Sequence, residues 1–264
     1  MAKRLPKTET AALFSLRREW RRTRRFCPRG FRARTHGDGP KQHWAWGPAC
    51  HRGAKCPACR NPLTLVWDVS LEDQVFPALV AEAFQPLSRL PIYFCFPCGS
   101  AAYLPVSDTA IKAFPPPGED ESPYEEFSPD LLRRAISFEP LPSDIDGLLT
   151  LFDCVGFREI DQPAIKRLGK FFRRRIKSES DLNVSQFGGQ PLFYQGHSNF
   201  VCPNPSCPAN KLQYPFGDFQ IDLVMKELAV ITRDAADEFA ATYTQIACHA
   251  CPICAAIRAD YRCT

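Results

Sequence analysis

Apolar and polar positions alternate over short segments of this chain, and several of these segments run straight into cysteines. Leu63-Thr-Leu-Val-Trp-Asp-Val69 reads as a strand that follows the pair Cys56-Pro-Ala-Cys59. A helical stretch lies near Gln74 to Phe84, and a second strand, Pro91-Ile-Tyr-Phe-Cys95, leads into Cys95-Phe-Pro-Cys98. The unit is therefore knuckle, strand, excursion, strand, knuckle. The same order returns near the C-terminus. Cys202-Pro-Asn-Pro-Ser-Cys207 is followed by a predicted strand over Asp218 to Val224. A variable stretch and a strand over Phe239 to Ala247 then lead to Cys251-Pro-Ile-Cys254. The two units read as an internal structural repeat.

Other segments fill the space around them. Thr10 to Arg25 reads as a helix with Leu13, Leu16 and Trp20 on one stripe and arginines over the rest. Residues 29–49, rich in Gly, Arg, His and Pro, read as a loop anchored to the core by Trp44 and Trp46. Pro115-Pro-Pro-Gly marks a boundary between halves, and Ala135 to Pro140 is a short strand. Ile145 to Phe152 and Pro163 to Ile176 read as helices, the second N-capped by Asp161 and ending in the basic run Arg173 to Lys177. The fold class expected is α+β: a β-rich pseudo-repeat whose two halves each have antiparallel strands clipped by four cysteines. The divisions are 1–49 (basic arm and loop), 50–114 (first clipped unit), 115–184 (linker and helical segment) and 185–264 (second clipped unit).

Composition supports this picture. A chain of 264 residues can bury a real core, and its 25 prolines favour short strands and turns over long helices. No apolar run has the length of about 20 residues that a membrane helix needs, and the N-terminus lacks an apolar leader. The count of 13 cysteines is odd and their spacing tight, which favours metal ligation in a reducing, cytoplasmic setting over disulfides.

Charge is uneven. Residues 1–60 hold 16 Lys/Arg against 3 Asp/Glu (+13), and the remainder 17 against 26 (−9). The basic segment reads either as an arm for RNA, DNA or an acidic surface, or as a solvated helix docked on the body; the plainer second reading is preferred.

The cysteines carry the chemistry. Cys56, Cys59, Cys95 and Cys98 form one set of four, and Cys202, Cys207, Cys251 and Cys254 the other. Four thiolates complete a tetrahedral zinc site with no open position, so two structural zinc ions are expected and catalytic zinc is not. Pro57, Pro97 and Pro252 stiffen the turns, and Gly99 suits a positive φ. Alternatives remain at this level: Cys50-His51 or Cys248-His249 could replace an assigned ligand. Cys251 and Cys254 are preferred because Pro252 lies between them as Pro57 does in the first knuckle. Cys154 reads as core, while Cys27 and Cys263 are unassigned.

Ser185-Gln-Phe-Gly-Gly-Gln-Pro-Leu-Phe-Tyr-Gln195, with the cysteine pair and strand that follow, resembles the YwqG-like family. That family is related to the programmed-cell-death-2-like ribosomal-protein chaperones. The resemblance covers roughly 185–264, and residues 56–98 look like the cysteine-bearing N-terminal half of bacterial members. It implies an α+β fold of β-rich halves and, through the eukaryotic relatives, the holding of a protein partner. It supplies no catalytic residues. This chain departs from the pattern where Phe193 or Tyr194 stands in place of the usual Trp, and where His197 and Asn199 occupy an extended loop. A Gly-Gly-x-Pro run at Gly188, Gly189 and Pro191 is also simply a turn.

Three functions compete. The leading one is a non-enzymatic, zinc-stabilised protein-binding adaptor or chaperone-like module. The alternatives are a zinc-containing nucleic-acid-binding protein that uses residues 1–60, and an enzyme. Against the enzyme stand the missing P-loop, H-E-x-x-H and G-x-S-x-G motifs. Of the histidines at 36, 43, 51, 197 and 249, His197 is the first suspect if it is one.

Overall fold

A computed structural model describes residues 30–35, 43–115, 133–141, 185–188, 202–207, 223–225, 245–251 and 254–262. Among these residues there are eleven strands and one helix. The strands are β1 (Phe31–Thr35), β2 (His43–Ala45), β3 (Thr64–Ser70), β4 (Arg89–Phe94), β5 (Ser100–Ser107), β6 (Ala110–Phe114), β7 (Arg134–Pro140), β8 (Gln186–Phe187), β9 (Leu223–Met225), β10 (Gln245–Ala250) and β11 (Ile257–Arg262). The helix, α1, spans Ala78–Ala83.

The strands pair in the order β4-β3-β2-β7-β1-β8-β9-β10-β11-β5-β6, and every ladder between them is antiparallel. The described protein is thus predominantly β. The helices expected over Thr10 to Arg25, Ile145 to Phe152 and Pro163 to Ile176 lie outside the described residues. So do the Pro115-Pro-Pro-Gly boundary beyond Pro115 and the Gly-Gly-x-Pro run beyond Gly188.

Pairing joins the segments more closely than a chain of separate units. The post-knuckle strands β5 and β11 lie side by side, with Ile257 opposite Tyr103 and Asp260 opposite Ser100. On the other flank β2 pairs with both β3 and β7.

Period-two alternation decides which residues enter the core. Phe31, Ala33, His43, Ala45, Ile136, Phe138 and Phe187 fall on one face and are buried. Arg32, Arg34, Trp44 and Glu139 fall on the other. A register irregularity between Leu65 and Trp67 re-aims β3, so that Trp67 packs edge-on against Phe138 with ring centres 5.3 Å apart. The segment carrying α1 closes over this face. Val80 and Phe84 are buried, and Phe76 contacts Phe31, Phe138 and Phe187 at 5.3, 5.2 and 4.7 Å. Such aromatic pairs add to the burial of their area about 0.5–1.5 kcal/mol each.

Residues 29–49 correct the sequence reading. They were expected as a loop, but Phe31–Thr35 and His43–Ala45 are interior strands of the sheet. The glycines, arginines and proline hid the alternation Phe31/Ala33 and His43/Ala45. Trp46 is buried as expected, whereas Trp44 lies on the outer face beneath the Arg133 guanidinium, 4.4 Å from its ring centre. Two other strands end past their expected bounds: β10 ends at Ala250, three residues beyond Ala247, and β9 at Met225, one beyond Val224, while residues 218–222 and 239–244 lie outside the described residues.

Candidate metal centres

Each cysteine knuckle grows from local backbone chemistry. In the first, the Arg60 N–H donates to the Cys56 carbonyl at 2.9 Å and the Cys56 N–H to the Asn61 carbonyl at 2.9 Å. The last knuckle repeats both bonds: Ala255 N–H to Cys251 O at 2.8 Å and Cys251 N–H to Ala256 O at 2.7 Å. The residue after the second cysteine is left-handed in all three Cys-x-x-Cys turns: Arg60 (φ 65°), Gly99 (φ 65°) and Ala255 (φ 58°). Gly99 was legible as such a residue. Arg60 and Ala255 were not, because L-residues occupy that region at a cost of about 1–2 kcal/mol. The turn turns each chain sharply enough for both thiols of a pair to face one point.

The cysteines then meet in two groups. Cys56, Cys59, Cys95 and Cys98 form one, and Cys202, Cys207, Cys251 and Cys254 the other, with all four Sγ atoms of a group within 4.8 Å of one another. Cys56 lies 3.7 Å from Cys98 and Cys59 3.5 Å from Cys95. In the second group Cys202 lies 3.5 Å from Cys254 and Cys207 3.7 Å from Cys251. A disulfide would put two sulfurs about 2.0 Å apart. A tetrahedron of four sulfurs around zinc, at Zn–S about 2.3 Å, has an S···S edge of about 3.8 Å. The spacing thus fits the edge of a metal–thiolate tetrahedron, and each set can hold one metal ion.

Both groups lie where strands begin and end. Cys95 follows β4 and Cys98 precedes β5, so the first group joins these strands to the loop that enters β3. Cys251 follows β10 and Cys254 precedes β11. The second group packs on Ala102 of β5, Phe114 of β6 and Ala256. It therefore ties the C-terminal segment to strands from the first half of the chain.

Without a cation the thiols of a group differ: Cys254 is lowered, first by its bond to Cys202, and Cys59, against burial, is lowered by neighbouring bonds, while others are raised. Burial, followed by the bonds to neighbouring thiols, pushes Cys98 up to about 12 and Cys95 higher still. A divalent ion held by each group would supply the charge that lets its thiols lose their protons together. Arg52, Lys55 and Arg60, exposed on the first knuckle loop, place positive charge beside the resulting anionic centre.

Cys50, His51, Cys248 and His249 do not join either group. Cys248 is buried in β10 between Ala259 and Leu223, and its pKa is raised, first by burial and then by Asp260. Cys50 bonds to its neighbour His51 and to Tyr93. Cys27, Cys154, Cys263 and His197 lie outside the described residues.

One feature was missed by sequence reasoning. His43 is buried on β2, with Nε2 2.6 Å from Asp73 Oδ2, while Nδ1 accepts the Ser70 backbone N–H at 3.0 Å. The Nδ1 bond leaves the ring proton on Nε2, where it is donated to Asp73. Burial lowers the His43 pKa against the raising effect of Asp73. Both nitrogens are engaged, so His43 is a buried crosspiece between β2, β3 and the segment before α1. The sequence signal for it was its place two residues before Ala45, on the same face of a two-residue alternation.

No family model, curated protein or solved structure matches this chain.

Proposed function

We propose that this chain is a non-enzymatic, zinc-stabilised binding module that grips a protein partner. The observation that carries the reading is the pair of all-cysteine groups at strand ends. Four sulfurs around one ion leave no coordination position for a water or substrate, so zinc here holds strands together. The His43–Asp73 pair supports the same reading, since neither imidazole nitrogen is available to a substrate proton. The likeness of residues 185–195 to the YwqG-like family adds the expectation of a protein partner.

The test uses the purified, metal-loaded full chain as bait in its native host extract. The reading requires a reproducible, saturable protein partner whose retention is lost when metal is stripped. A measurable substrate turnover without such a partner contradicts it.

A second reading, nucleic-acid binding, is favoured by one specific observation. On the outer face, Glu139 is shared by Arg32 and Arg34 at 2.9 and 2.8 Å, and Asp68 by Arg89 and Arg133 at 2.7 and 3.4 Å. Each carboxylate thus meets two guanidiniums, leaving positive charge beside Trp44. RNA or DNA retention that falls steeply with salt would favour this reading, and no retention at low salt would remove it.

A further inference from the structure

Beyond the two cysteine groups, one thiol is built differently. Cys50 is exposed, in contrast to the buried Cys248. Its Sγ lies 3.3 Å from His51 Nδ1 and 3.5 Å from the Tyr93 hydroxyl. That hydroxyl accepts two backbone N–H bonds, from Cys50 at 3.2 Å and from His51 at 3.3 Å. A phenol oxygen with two accepted bonds turns its own proton elsewhere, and His51 Nδ1 lies 2.7 Å away. Nδ1 therefore presents a lone pair, and the ring carries its proton on Nε2. Asp108 contributes a further hydrogen bond to the ring from its backbone, and burial lowers the His51 pKa, which keeps the imidazole neutral near pH 7. A thiol, an unprotonated imidazole nitrogen beside it and a third group orienting that imidazole form the arrangement of an activated nucleophile.

We infer that Cys50 is a nucleophilic thiol that forms mixed disulfides with small anionic disulfides, with His51 as its proton acceptor and Tyr93 as the positioning residue. The Cys50 proton passes to His51 Nδ1, and the Tyr93 hydroxyl turns to the thiolate. The thiolate attacks one sulfur of the small disulfide. A Cys50–S–S–R bond forms, the original S–S bond breaks, and the leaving thiolate takes the proton from His51 and departs as a thiol. The disulfide is the oxidant, so no other reagent is required, and a second thiol reverses the step. Exposed Arg52 and Lys55 nearby on the same loop favour a carboxylate-bearing disulfide of the glutathione type.

Two measurements on the full-length protein test this. Incubation with oxidised glutathione, read by intact mass and peptide mapping, is expected to give one adduct on the Cys50 peptide and none in Cys50→Ser. Iodoacetamide labelling of Cys50 at pH 7 is expected to be about tenfold or more faster than that of free glutathione. At pH 7, His51→Gln should slow that labelling by about tenfold or more. The other titratable groups facing the pair are Tyr93, Asp108 and, at longer range, Asp68. Labelling no faster than that of free glutathione, or glutathione adducts on other cysteines with none on Cys50, overturns the inference. Should His51→Gln fail to fold, the wild-type labelling rate and the adduct map decide alone.

Discussion

The Tyr103 hydroxyl on β5 accepts the backbone N–H of Tyr93 on β4 at 2.9 Å and donates to the Pro91 carbonyl at 2.9 Å. Among the described residues β4 is the terminal strand of the pairing order, so these two backbone groups have no further strand there to pair with. A buried side chain takes that strand's place, and the two rings meet edge-on at 5.8 Å. Strands at opposite ends of the pairing order are thereby brought together, which protects a terminal edge from pairing with another chain.

Tyr103→Phe keeps the ring and removes the oxygen, leaving a buried donor and acceptor unpaired. The expected loss is about 1–3 kcal/mol of unfolding free energy, measured by denaturant titration of the metal-loaded protein. An unchanged midpoint would show that Tyr103 does not close this edge.

The His43–Asp73 pair makes a pH prediction. Burial holds the folded pKa of His43 below the ordinary value of about 6.5, so the unfolded chain binds the extra proton first. The stability due to neutral His43 is present above pH 6.5 and is lost as pH falls through 6.5 towards the folded pKa. His43→Asn should be less stable than wild type at pH 7.5, and the gap should narrow by pH 5.5. A gap that widens in acid would mean that the pair is held as an ion pair and that Asp73 outweighs burial.

Much of this was legible in the residues. Leu63 to Val69 follows one cysteine pair and Pro91 to Cys95 runs into another, and both are strands within one or two residues of their predicted bounds. Grouping the eight thiols needed only spacing and the proline shared by two knuckles. What could not be read was long-range pairing. Nothing near Gly53 announces that its positive φ lets residues 52–53 lie against β6, where a Cβ would strike the Ile111 carbonyl oxygen. Nor does the local pattern of Phe31 to Thr35 reveal its partners, because those lie over a hundred residues away in β7 and β8. Sequence periodicity gives the face of a strand and says nothing of its neighbour.

The ligand assignment predicts which cysteines matter. Cys56→Ser should lose one metal ion and Cys251→Ser the other, because three remaining sulfurs bind less tightly and leave an open position. Cys50→Ser and Cys248→Ser should keep the full metal content. Since a structural zinc site contributes on the order of 10 kcal/mol, the first two variants should also become protease-sensitive. The second group packs on β5 and β6, so cutting in Cys251→Ser should reach strands of the first half as well. Full metal content in Cys56→Ser or Cys251→Ser would remove that residue from the ligand set.

The most direct test of the metal-held sheet is the metal content of the folded protein, read by native mass spectrometry and elemental analysis. Two zinc ions per chain are predicted, one for each group of four cysteines, with no intramolecular disulfide among those eight. Folded protein with no bound metal and those cysteines joined as disulfides would contradict it.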